Sequence, residues 1–190
     1  MGLPLQWLGK ALCEREVRIL KKVRDIENVQ NFVCRYGDYG FVYQYINGKP
    51  LSKVKETPED FFDKLEELLQ NLHRRNICYV DMNKRDNIIV GKDGQPNLID
   101  FQISVQIGKY SLGLPAFSKM IQNKLEKADR YHVLKHKRRL KPMSLKPSEW
   151  QASYSPSGLI KIHRVIATPI RRLRRKVLKS LHKKQPLIKQ

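Results

Sequence analysis

The sequence predicts an α+β fold built on short antiparallel strands. Three observations carry that prediction. Apolar residues recur at helical spacing over residues 10–26 and again beyond Thr57. Short apolar runs come in pairs separated by turn residues, the mark of hairpins. The order is helix, hairpin, linker, helix, loop, hairpin, helix, with none of the strand–helix–strand alternation of a parallel sheet.

Residues 10–26 (KALCEREVRILKKVRDI) form the first predicted helix, with Leu12, Val17, Leu20 and Val23 on one face and Ile19 and Ile26 beside it. The runs NFVCRYG and FVYQYI, separated by Asp38, Tyr39 and Gly40, predict a hairpin. Residues 47–51 (NGKPL) read as a turn or linker. Thr57 as N-cap, Pro58 at the first helical position and Glu59 and Asp60 in the first turn then start a helix to about Arg75. Phe61, Leu65, Leu68, Leu69 and Leu72 supply its apolar face. Ile88–Val90 and Asn97–Ile99 flank the turn at Lys92, Asp93 and Gly94, a second hairpin. A helix is expected from Ala116 to about His136. Residues 141–158 hold three of the chain's ten prolines and read as a loop, with a short turn at Pro147–Trp150. Thr168 and Pro169 open a final helix to about Lys184.

The composition narrows the function classes. The 190 residues are 41% hydrophobic, enough for a modest core. No apolar run approaches the roughly 18 residues of a membrane span, and the N-terminal stretch reads as no signal peptide. Gln6 stands where a myristoylation signal at Gly2 needs Ser or Thr. Cys13, Cys34 and Cys78 are far apart and odd in number, which suits buried reduced thiols of a cytosolic protein. His132 and His136 are four apart, but lysines and arginines crowd them and no carboxylate completes a metal set.

The net charge of +20 is unevenly spread. Residues 130–190 carry 18 Lys and Arg against one acid, Glu149, whereas residues 1–129 carry 20 basic and 17 acidic residues. A nearly neutral body thus precedes a basic tail of the kind that seeks a polyanion. In the final predicted helix Ile170, Leu173, Val177, Leu178 and Leu181 share one face, while Arg171, Arg172, Arg174, Arg175, Lys176 and Lys179 fill the rest. An apolar stripe with an all-basic remainder suits a helix lying on an anionic membrane surface, where each Lys or Arg contributes about 1 kcal/mol. Phosphate binding to RNA or DNA is the alternative, as is docking of the stripe on the body. Few aromatics accompany the charge for base stacking (Tyr131, Trp150, Tyr154), and the final helix has none.

The candidate chemistry lies in residues 79–102, YVDMNKRDNIIVGKDGQPNLIDFQ. Asp81, Asn87 and Asp100 are the oxygen-bearing residue types that magnesium and a phosphoryl-transfer site require. The hairpin between Asn87 and Asp100 would bring its two ends together at one rim. Each residue alone would serve equally as a turn former.

The segment Tyr79-Val80-Asp81, Asn87-Ile88-Ile89-Val90 and Leu98-Ile99-Asp100-Phe101-Gln102 resembles the catalytic and metal loops of protein-kinase-like phosphotransferases, with the usual separation of 13 between Asn87 and Asp100. The resemblance implies Asp81 as catalytic base and Asn87 and Asp100 as Mg²⁺ ligands at an ATP site. It implies Lys84 as a contact to the transferring phosphate. Upstream, Glu16 in EREVRILKKV resembles the helix glutamate that pairs with an ATP-binding lysine, and FVYQYINGKPL resembles the strand and hinge between lobes. The likeness covers roughly residues 10–108. Tyr79-Val80 replaces the usual His-Arg, the base-to-asparagine gap is six rather than five, Gln102 replaces a glycine, and no Ala-Pro-Glu follows. Asp86, at the usual spacing, competes with Asn87 for the metal. These features resemble the compact atypical bacterial branch of lipopolysaccharide-core, Kdo and RIO-like kinases.

The fold so implied is protein-kinase-like: a truncated N-lobe over residues 1–50, a compact and mainly helical C-lobe over 51–140, and the basic helical tail over 141–190. The glycine-rich turn and strand lysine of such a lobe are not found in this chain. The implied function is transfer of the ATP γ-phosphate to a hydroxyl of a protein Ser/Thr or a lipid-linked glycan, at the cytoplasmic face of a membrane. A non-catalytic, pseudokinase-like module and a basic nucleic-acid-binding protein are the alternatives.

Overall fold

The computed structural model describes residues 3–37, 40–108 and 113–155, with side chains from Lys10 onward. Among these lie four α-helices and seven short strands, an α+β fold. Helix α1 spans Leu3–Val23 and so begins before Lys10. Val17, Ile19, Leu20 and Val23 are buried along it, and Ile26 just past its end. The expected hairpin is β1 (Phe32–Tyr36) and β2 (Gly40–Tyr43), antiparallel with Phe32 opposite Tyr43. Phe32 and Phe41 turn inward against the core, while Val33, Tyr36, Val42 and Tyr43 are exposed.

Residues 47–51 are not a linker. Strand β3 (Gly48–Pro50) pairs antiparallel with β5 (Ile88–Gly91), Lys49 opposite Val90. The close approach needs a glycine, because a Cβ at Gly48 would lie 2.6 Å from Ile89 Cγ2 and strike the Val90 carbonyl. Pro50 is tolerated because β3 is an edge strand. On its other side β5 pairs with β6 (Pro96–Leu98), as the second hairpin required. Residues 28–30 extend this sheet, with Leu98 N donating to Asn28 O at 2.9 Å and Gln30 N to Leu98 O at 3.0 Å.

Helix α2 is Phe61–Arg74, with Asp60 rather than Thr57 at the N-cap position. The proline explains the shift. A Cβ at Gly94 would lie 2.8 Å from Pro58 Cγ, so the ring sits against the β5–β6 turn, and Phe61 N closes a turn on Pro58 O at 3.3 Å. Thr57 Oγ1 is left buried with no partner among the described residues. The predicted apolar face is buried, with Phe62 added to it. One core joins Ile19, Leu20, Val23 and Val29 to this face and to Tyr79, Met82, Ile88 and Phe101, so it runs across the segment around residue 50.

Strand β4 (Ile77–Cys78) pairs antiparallel with β7 (Val105–Gln106). Helix α3 runs Pro115–Leu140, longer at both ends than expected, and its buried face is largely polar: Ser118, Gln122, Asp129, His132, His136 and Lys137. The short α4 (Pro147–Ala152) occupies the expected turn. Lys137 ties three helices together, donating to Asp63 at 3.1 Å and Glu149 at 3.4 Å. Among the cysteines Cys13 and Cys78 are buried but Cys34 is exposed, correcting the expectation of three buried thiols; the reason is that most of β1 faces solvent. Among the described residues no helix is long and apolar enough to cross a membrane. The expected helix from Thr168, with Arg171, Arg172, Arg174, Arg175, Lys176 and Lys179, lies outside the described residues.

Candidate active site

Two pairings assemble the site. The β4–β7 pair lays the strand entering residues 79–87 beside the strand that follows Asp100. The β5–β6 hairpin then closes Asn87 onto Asp100: Ile88 lies opposite Leu98, and Ile99 N donates to Asn87 O at 3.1 Å.

The loop before Asp81 is held in an unfavourable shape. Val80 has φ of 69°, and Asp81 N donates back to Tyr79 O at 2.9 Å, which makes a γ-turn with positive φ. A β-branched residue there costs on the order of 1–3 kcal/mol. Asp129 on α3, 1% exposed, compensates by accepting from Tyr79 N at 2.9 Å and Val80 N at 2.8 Å. His73 Nε2 lies 3.2 Å from the same carboxylate. The Tyr79 ring packs edge-on against Phe101, centroids 5.1 Å apart, and its hydroxyl donates to Ile99 O. Asp100 also has a positive φ of 60°, and its N–H is held by Gln30 Oε1 at 2.9 Å.

These supports bring four of the predicted residues into one cluster. Asn87 Nδ2 donates to Asp81 Oδ2 at 2.9 Å and reaches Asp100 Oδ2 at 3.5 Å. The Lys84 ammonium bonds Asp81 and lies 4.0 Å from Asp100. Asp81 and Asn87 are both 7% exposed. Burial raises the Asp81 carboxyl above its usual range, against the lowering bonds from Lys84 and Asn87.

Glu16 reaches the same place from α1, which Arg15 ties to the loop beyond Asp100 by donating to Ser104 O at 2.8 Å. Its carboxyl is pushed up to about 6, first by burial and then by the charge of Asp100, against a lowering bond from the Phe101 backbone N–H. Among the described residues it has no basic partner. Asp86 stands apart from the cluster: it is exposed and accepts from Ser52 Oγ.

The sequence pattern points to no role for Asp129 or Gln30, and it marks Tyr79 only as a motif residue two before Asp81. The one available signal was that Asp129, with Glu126, is one of two acids in a helix otherwise rich in Lys and Arg. The two histidines weighed as ligands are buried in α3, with His136 Nε2 2.9 Å from Met82 O. Among the described residues no group of three or more His, Cys, Asp or Glu gathers as a metal site. A cation here would meet only Asp100, Asn87 and, beyond them, Asp81. Asn87 turns its amide nitrogen to both carboxylates, so the hard oxygens on offer are those of Asp100 and Asp81, with the Asn87 oxygen joining when the amide turns over; this sparse set fits magnesium, which keeps ligands from water and phosphate, and fits a fully caged ion poorly.

No protein-family model matches this chain, and no curated protein matches it.

Proposed function

We propose that the chain is a kinase-like phosphotransferase that moves the ATP γ-phosphate to a hydroxyl with Mg²⁺, on a protein-kinase-like fold. The reading rests on one observation, the convergence of Asp81, Lys84, Asn87 and Asp100 from a loop and both ends of a hairpin. When bound, Mg²⁺ neutralises phosphate charge as the phosphoryl group passes. Asn87 and Asp100 would hold it. Lys84 supplies positive charge beside the transferring group.

Asp81 orients the acceptor hydroxyl and takes its proton as the new oxygen–phosphorus bond forms and the bond to ADP breaks. A carboxyl raised by burial is a better proton acceptor near neutral pH than a solvated one. The Asn87 bond fixes which carboxylate oxygen is turned inward. In the same reading the basic tail holds the enzyme on the cytoplasmic face of an anionic membrane, near a lipid-linked glycan or a protein Ser/Thr. Asp81→Ala should abolish ADP release in the presence of acceptor while Mg·ATP binding persists; unchanged turnover would falsify the assignment.

One observation favours a second reading. Glu16 is buried beside Asp100 without a basic partner among the described residues, which suits a nucleotide-binding module that does not turn over. Mg·ATP binding with equal, background turnover in the parent and Asp81→Ala would decide for it.

A further inference from the structure

One arginine pins the short helix α4 to the end of α3. Arg138 donates to Ser153 O at 2.7 Å and to Ser153 Oγ at 3.0 Å, and Ser153 is fully buried. The same guanidinium lies 3.7 Å from the centre of the Tyr154 ring, a cation–π contact. Tyr154 in turn packs edge-on against Trp150, centroids 5.9 Å apart. Residues four apart share one side of a helical turn, so the two rings are presented together. Both remain open to solvent, Trp150 at 42% and Tyr154 at 59%.

Tryptophan and tyrosine have an apolar body and a polar edge, and they settle at the headgroup level of a bilayer. An arginine stacked on such a ring can keep its charge at the height of the lipid phosphates. The surrounding charge has the matching sign. From residue 130 onward the only acid is Glu149, and it is turned inward, 12% exposed and bonded to Lys137 and the Lys146 amide. Arg139 and Lys146 are exposed. Of the acids that meet the α3 end from the α2 side, Glu59, Asp60 and Asp63, the last two are paired with Lys64 and Lys137. Tyr154 stands one residue before the end of the described chain, so residues 156–190, with eleven Lys and Arg and no acid, follow directly from this surface.

We infer that Arg138, Trp150 and Tyr154 form a second contact with an anionic lipid bilayer, made by the folded body itself, which sets the side of the fold that faces the membrane. The inference rests on the proposed attachment of the chain through its basic tail. Charge alone tethers a body without orienting it, and salt screens it. Two rings set into the interface at the base of the tether add a contact that salt does not screen, and they hold the α3–α4 end toward the lipid.

The test uses the full chain, whose only tryptophans are Trp7 and Trp150, with vesicles of phosphatidylglycerol and phosphatidylcholine. Trp7→Phe leaves Trp150 as the one indole. On adding vesicles its emission should move to shorter wavelength and be quenched by phosphatidylcholine brominated on the acyl chains. Trp150→Ala/Tyr154→Ala should lower partitioning at least about tenfold in co-sedimentation, with far-UV circular dichroism confirming the fold of each variant. Vesicle binding with unchanged Trp150 emission, or with equal partitioning of the alanine variant, overturns the surface and leaves the tail attachment standing. No vesicle binding by the parent removes both. A shift that appears on concentrating the protein without vesicles assigns the rings to a contact between copies and overturns the lipid surface.

Discussion

Replacing Glu16 with Gln should stabilise the protein at neutral pH and leave it unchanged in acid. Burial and the Asp100 charge move the Glu16 carboxyl from 4.5 to about 6. At about 1.4 kcal/mol per pKa unit, the ionised form is disfavoured in the folded chain by about 2 kcal/mol. The sign follows from proton linkage. The folded state binds this proton more tightly than the unfolded state, so stability falls as pH rises from 4.5 to about 6. The full penalty is present above that window and none of it below. Gln keeps an acceptor for the Phe101 N–H but carries no charge.

Urea unfolding in EDTA at pH 4, 5, 6 and 7.5 measures the effect. The difference between variant and parent, rather than the parent curve, is the useful quantity. Burial pulls His136 down to about 4, and a depressed histidine loses stability as pH falls from 6.5, opposing Glu16 over nearly the same range. The difference should grow by about 2 kcal/mol between pH 4 and pH 7.5. A flat difference would refute a buried, charge-crowded Glu16.

Three further outcomes follow from the packing and the charge. Asp129→Ala strips the acceptor from the Tyr79 and Val80 amides and should cost about 2–5 kcal/mol in denaturant unfolding, with Asp129→Asn intermediate because it keeps one acceptor oxygen. Gly48→Ala drives a methyl into the Val90 carbonyl and Ile89, an overpacking worth about 2 kcal/mol; an unchanged melting temperature would contradict the β3–β5 pairing. Deleting residues 156–190, which carry eleven Lys and Arg and no acid, should lower partitioning onto vesicles of phosphatidylglycerol and phosphatidylcholine by at least about a hundredfold at low salt, as measured by co-sedimentation.

Where apolar side chains decide the structure, the sequence was readable. The α2 face from Phe61 to Leu72, the α1 stripe and both hairpins follow from periodicity and turn residues, and the β5–β6 hairpin is what puts Asn87 beside Asp100. Features held by other forces were hidden. Strand β3 consists of Gly, Lys and Pro, residues of low strand propensity, and forms because a missing side chain lets two backbones meet. Thr57-Pro58 has every mark of a helix start, yet tertiary packing of the proline on Gly94 outweighs the cap. The α3 face that grips the Asp81 loop is polar, so no hydrophobic pattern marks which side is inward. Asp129 and Gln30 act through backbone amides far away in the chain, and spacing alone does not register such contacts.

The grip of Asp129 also sets a tempo. One carboxylate on α3 fastens two consecutive amides of a turn that Val80 would not adopt unaided. Those amides are not released by side-chain fluctuation; they come free when α3 lifts from α2 and β4. The Asp81 loop and the helix pair therefore open as one cooperative unit, on the slow timescale of partial unfolding. The backbone on either side of Val80 thus keeps one conformation for as long as the helix pair stays closed.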